Sequence, residues 1–126
     1  MAGRAGAPLV RRAGGDADAL TAPLVFDAAA SGDADAGAIV DEACRALGAI
    51  IAVIVNGLNP DVVVITGGVA SALVPLEKAV LRYASEYALA RALAATTVRI
   101  MPGDKRLTMR GAAALVLYET ARRARG

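Results

Sequence analysis

Residues 59–70 read Asn-Pro-Asp-Val-Val-Val-Ile-Thr-Gly-Gly-Val-Ala, and no other stretch narrows the possible folds as much. Four consecutive β-prone apolar residues, 62–65, show no polar alternation, the pattern of a strand covered on both faces in a parallel or mixed α/β sheet. Gly67 and Gly68 follow at its carboxyl end, where backbone without side chains can turn sharply and approach a ligand closely. A strand, a two-glycine turn and a helix are a nucleotide-binding geometry, though the same succession also serves as a plain structural turn.

The flanking segments predict the rest of an α/β unit. Thr21, with Pro23 in the first turn, opens a helix to about Ala30, and Asp33 is placed to cap a long helix to about Asn56. The apolar positions of that helix at 39, 43, 47, 50, 54 and 58 follow helical spacing, and 51 and 55 widen the stripe until the second half is apolar almost all round, which predicts a helix buried on most sides. Gly48 inside it costs about 1 kcal/mol relative to alanine, so the spacing predicts a close approach by another element; a hinge crossing and ordinary tight packing both fit. Asn56, Gly57, Asn59 and Pro60 end the helix, the glycine after the last turn and the asparagines satisfying loop backbone.

A further helix is expected over 74–89, with Leu76, Ala79, Val80, Tyr83, Ala84 and Tyr87 inward and Lys78, Arg82 and Glu86 in solvent. A second strand over 96–101 ends at Pro102-Gly103, and a last helix over 108–123 turns Met109, Ala112, Ala113, Val116, Leu117 and Thr120 inward. The expected order is α-α-β-α-β-α. Residues 1–20 lack apolar periodicity and read as a loose tail, leaving 21–126 as the folded segment.

Four motifs stand in sequence: Ser-Gly-Asp-Ala-Asp-Ala from Ser31, Arg45 through Pro60, Val-Val-Val-Ile-Thr-Gly-Gly-Val to Val69, and Arg-Gly-Ala-Ala-Ala-Leu-Val from Arg110. In that order they resemble the carboxyl-terminal part of the ROK family (repressor, open reading frame, kinase), over about residues 20–120. The resemblance implies a partial actin-like ATPase, or ribonuclease H-like, lobe. By position, Gly67, Gly68 and Val69 would make the adenosine-side contacts of an ATP site, with magnesium used in the intact family. The Asp-x-Gly-Gly-Thr phosphate loop, the catalytic aspartate beside an asparagine and the Cys/His zinc site of such proteins do not occur here. The chain therefore looks like a family member that begins after its catalytic half, with ATP binding weak or vestigial. Its parent is read as a glucokinase-like, ATP-dependent sugar kinase; the alternative is the effector and dimerisation lobe of a sugar-responsive repressor.

Inventory excludes several chemistries. There is no histidine, and Cys44 is the one cysteine, so neither a Cys/His zinc site nor a histidine acid/base pair can be built. The apolar run 46–55 is far shorter than the roughly 20 residues of a membrane span, and the chain reads as cytoplasmic. Seven acids oppose four bases before Asn59, whereas seven bases oppose two acids from Arg99 onward. That basic end reads as a solvated helix terminus complementing the helix dipole, because no nucleic-acid reader accompanies it. The loop 102–106 gathers Lys105 and Arg106 and reads as a solvated turn, and Thr66 and Ser71 have adequate structural roles. Two parallel strands with a helical crossover leave edges and faces uncovered, which predicts self-association through the strand edge and the apolar helix faces, or loose packing.

Overall fold

The computed structural model describes Leu9, Arg11 and residues 14–124. After a short 3-10 turn at Ala17–Ala19, helix α1 spans Ala22–Ala30 and helix α2 spans Ala34–Leu58. Thr21 stands at the N-cap of α1 in extended backbone, but its side chain makes no capping bond. Asp33 caps α2 fully, its Oδ1 accepting from the amides of Asp35 and Ala36 at 3.1 and 3.0 Å. Most of the segment read as a loose tail, residues 1–8, 10, 12 and 13, lies outside the described residues, as does Arg125 at the basic end. Leu9, within that segment, is buried with Ala28 and Ala36.

Helix α2 has the expected period and a different phase. Ala36, Val40, Cys44, Gly48, Ile51, Ala52 and Val55 are its buried residues; Ile51 and Val55 belong to the widened stripe expected from the sequence, while Ile39, Ala43, Ile50 and Leu58 of the expected inward set are exposed. A helix apolar nearly all round offers two candidate stripes, and the one with small residues wins where a second helix presses closest. At Gly48 a Cβ would lie 2.6 Å from Tyr83 Cβ and 2.7 Å from the Ala84 nitrogen. The close approach expected there is present. Gly57 remains helical, and Asn59 takes the left-handed conformation that ends α2, at φ 45° with its amide donating to the Val55 carbonyl.

Strand β1 (Val62–Ile65) pairs in parallel with β2 (Thr97–Ile100), Val62 opposite Thr97 and Ile65 opposite Ile100. The crossover is several helical pieces in place of the single helix expected over 74–89. Helix α3 (Ala70–Leu73) runs into a 3-10 turn at Val74–Leu76, then α4 (Glu77–Tyr87) and α5 (Ala90–Ala95). Pro75 sits in the 3-10 turn, where its missing N–H breaks the α-helical ladder. The gap between α4 and α5 is held by Asn56, whose Oδ1 accepts from the Leu89 amide at 2.8 Å and whose Nδ2 donates to the Tyr87 carbonyl at 3.0 Å. The Tyr87 ring is exposed, against its expected inward place.

The core gathers Val40, Cys44, Ile51 and Val55 from α2, Val80, Tyr83 and Ala84 from α4, and Val98 and Ile100 from β2. Only one face of the sheet is covered. Val62 and Val64 remain 55% and 52% exposed, contrary to the expectation of cover on both faces, because the described helices pack on the side of Val63, Ile65, Val98 and Ile100. Helix α6 (Lys105–Arg123) departs further from its expected packing. Met109, Ala112, Ala113, Val116, Leu117 and Thr120 are all exposed. Periodicity identifies the face that would pack, but packing requires a partner, and among the described residues nothing covers these six side chains.

Candidate nucleotide-binding turn

Parallel strands end on the same side, so the segments leaving β1 and β2 meet at one edge. The Met101 amide donates to the Ile65 carbonyl at 2.9 Å, carrying the pairing one step past both strands. The chain beyond β1 passes through Thr66, Gly67 and Gly68 to Val69, which precedes α3. Gly67 has φ +137°, a conformation that side chains disfavour, and its carbonyl accepts from the Ala70 amide at 3.2 Å. Gly68 has no positive φ, and nothing lies within 4 Å of where its Cβ would stand. Both glycines are exposed, and Val69 is 41% exposed beside them.

A third glycine backs the turn. A Cβ on Gly103 would collide with the Gly67 carbonyl, so the chain leaving β2 can lie against the turn only because residue 103 has no side chain. Sequence reasoning treated Pro102-Gly103 as a strand terminator. Its second role emerges once β1 and β2 are known to be parallel neighbours. Asp104 then caps α6, its Oδ1 accepting from the Arg106 amide at 2.9 Å. Lys105 and Arg106 are consequently in the first turn of a helix, and not in the solvated loop read for 102–106; Arg106 is exposed. Thr66 and Ser71 are exposed as well.

The three predicted contact residues thus sit together on an open backbone surface at the carboxyl edge of the sheet. That surface does not suit a divalent cation, since among the described residues no three Cys, Asp or Glu side chains gather into a metal site. Two apolar cavities border the neighbouring helices. One of about 450 Å³ is bordered by Asp27, Asp41, Cys44 and Pro75, and one of about 520 Å³ lies between α1 and α2 and reaches Val69 and Leu73. Burial, and secondarily the charge of Asp41, pushes the Cys44 thiol above its ordinary range, so at neutral pH it is a protonated core group and not a nucleophile. Among the described residues no helix is long and apolar enough to cross a membrane.

The same arrangement of strand, glycine turn and helices lies within a family match: the sequence pattern of the ROK family fits residues 2–119. The chain belongs to the ROK family. Membership implies the actin-like ATPase fold, consistent with this mixed α/β unit of two parallel strands and helices. A glucokinase from Halalkalibacterium halodurans is 42% identical over 81 residues, which cover 64% of this chain and 24% of that enzyme. The chain thus matches about a quarter of the length of this relative. No solved structure matches.

Proposed function

We propose that this chain supplies the adenosine-binding side of the nucleotide site of a glucokinase-like, ATP-dependent sugar kinase in the cytoplasm. Gly67 and Gly68 lie against the nucleoside, and Val69 closes one side of it. The chain corresponds to part of the carboxyl-terminal lobe of the actin-like fold. The observation that carries this reading is the open space in front of Gly68 at the carboxyl end of β1, in a chain with a glucokinase among its relatives. The positive φ of Gly67 and the seat of Gly103 behind it hold the turn in one shape, so the surface is formed before a ligand arrives.

ATP supplies the phosphoryl group to be transferred. The part played by these residues is to bind and orient: Gly68 admits a flat group to van der Waals contact with backbone, and Val69 shields one side of it from water. Phosphoryl transfer also needs a metal, phosphate contacts and a base acting together. Among the described residues there is no metal cluster, and the sequence holds no Asp-x-Gly-Gly-Thr loop and no Asn-Asp pair, so on this reading the chain by itself binds ATP weakly and transfers nothing.

Titration calorimetry with ATP on the 126-residue chain and on Gly68→Val tests the site. The Gly68 backbone accepts a side chain without strain, so the circular dichroism spectrum should be unchanged while ATP binding weakens at least about tenfold, the equivalent of ~1.4 kcal/mol. Undiminished binding with an unchanged spectrum places the nucleotide elsewhere. In a coupled assay the pure chain should form no ADP dependent on glucose and ATP above a heat-killed control; turnover would contradict the placement of the catalytic groups outside it.

A further inference from the structure

Asn56 and Gly57 are adjacent, and that pair carries a chemistry of its own. An asparagine amide followed by glycine is open to attack by the next main-chain nitrogen, because glycine has no Cβ to obstruct the approach. The fold also gives this amide a definite task. In the last turn of α2, its Oδ1 accepts from the Leu89 amide at 2.8 Å and its Nδ2 donates to the Tyr87 carbonyl at 3.0 Å, so one side chain spans the break between α4 and α5. We propose that Asn56 is a modification site: when the end of α2 opens, Asn56 deamidates through a cyclic imide with Gly57, and the product no longer holds the α4–α5 junction.

Hydroxide removes the Gly57 amide proton, and the electron pair of that nitrogen forms a bond to Asn56 Cγ. The Cγ–Nδ2 bond breaks, and the nitrogen leaves as ammonia after taking a proton from water. Water then opens the imide at either carbonyl. Cleavage of the new bond leaves an aspartate; cleavage of the original main-chain bond leaves an isoaspartate, with the chain rerouted through the side chain. In sum, one amide and one water give one acid and one ammonia.

The folded backbone suppresses the first step. As a helical residue Gly57 donates its N–H to the carbonyl four residues back, and the two hydrogen bonds fix the Asn56 amide on Tyr87 and Leu89. Both restraints lie at a helix end. Asn56 and Gly57 are exposed, and α2 stops at Leu58, with Asn59 left-handed just beyond. Helix ends open at a lower free-energy cost than core segments. The rate of conversion in the folded chain is then the unfolded rate multiplied by the fraction open.

The product cannot restore the junction. An amide offers an acceptor and a donor, matching one N–H and one carbonyl; a carboxylate offers acceptors only and sets a negative oxygen against the Tyr87 carbonyl. An isoaspartate also lengthens the main chain within the last turn, out of step with the helical ladder. Conversion is thus one-way, and it loosens α5, which leads directly into β2.

Asn59 precedes Pro60, whose nitrogen has no proton to lose, and the chain contains no glutamine. The mass rise of amide-to-acid conversion in the intact 126-residue chain therefore reports imide chemistry at Asn56 alone. In mildly alkaline buffer the folded chain should convert at least about tenfold more slowly than the chain in guanidinium chloride. Gly57→Ala should slow the denatured chain at least about tenfold, because a Cβ hinders the attack. Leu89→Pro removes one donor from the junction without strain, since residue 89 has φ −62° and Ala88 has ψ 147°, both suited to proline. It should keep the circular dichroism spectrum of the parent and convert faster in buffer. Asn56→Asp should speed hydrogen exchange over residues 90–95 at least about tenfold. Equal rates in buffer and denaturant, a Leu89→Pro chain that converts no faster than the parent, or exchange unchanged by Asn56→Asp would each overturn the proposal.

Discussion

Gly48→Ala should destabilise the fold, although in an isolated helix the same change is favourable by about 1 kcal/mol. The added Cβ would stand 2.6 Å from Tyr83 Cβ, 2.7 Å from the Ala84 nitrogen and 2.9 Å from the Tyr83 carbonyl carbon. Carbon atoms rest about 3.5–4.0 Å apart, so α2 and α4 must separate by roughly 1 Å. Two of the three obstructing atoms are backbone, and no rotamer change relieves them. Separation loosens Cys44, Ile51, Val80 and Ala84, which share this core. Overpacking costs about 1–3 kcal/mol, and a gap of this size forfeits part of the dispersion contact along the seam. Set against the propensity gain, a net loss of about 2 kcal/mol is expected, or a fall in Tm of roughly 8 °C at this chain length. Gly37→Ala and Gly57→Ala are controls in the same helix, with nothing within 4 Å of the added atom. They should each raise stability by about 0.5–1 kcal/mol. Urea denaturation followed by circular dichroism, at one protein concentration, measures all three. A Gly48→Ala chain as stable as the parent, or shifted in the direction of the controls, would refute the close-packing argument.

Three further perturbations test the elements around that seam. Asp33→Ala removes the acceptor of two amide bonds at the start of α2 and should cost about 1 kcal/mol, measured by the same denaturation; no change would mean the cap is idle. Tyr83→Phe deletes the 2.6 Å bond from the Tyr83 hydroxyl to Asp41 Oδ1, with an expected loss of about 1.5 kcal/mol because the acceptor is charged but partly solvated. The raised Cys44 thiol makes stability depend on pH. A thiol whose folded value lies above its unfolded value stabilises fully below the unfolded value, near 8.5, and that contribution is lost as pH rises toward the folded one. The stability difference between the parent and Cys44→Ala should therefore narrow as pH is raised above about 8.5, and a difference independent of pH would show that Cys44 ionises freely in the fold.

Local signals in the sequence were sufficient for the elements themselves. Asp33, the run 62–65, Gly67-Gly68, Pro75 and Pro102 each act through their own backbone or nearest neighbours, and they brought out the long capped helix, two strands of the right span and a turn at the carboxyl end of the first. Order of motifs was sufficient for the family, because four short patterns in one succession are hard to meet by chance. The phase of α2 was not legible: a helix apolar on nearly every side is compatible with two stripes, and the choice fell to the surface that lets Gly48 meet Tyr83. The division of the crossover into several helical pieces was not legible either, since the gap before α5 is closed by Asn56 from a distant part of the chain. Gly103 belongs to the candidate site only because parallel pairing brings the chain after β2 onto Gly67. Helix α6 and the Val62–Val64 side of the sheet carry the apolar patterns of buried surfaces and remain exposed, for a pattern records what an element can bury, while burial itself needs a second surface in reach, and that is settled by tertiary structure alone.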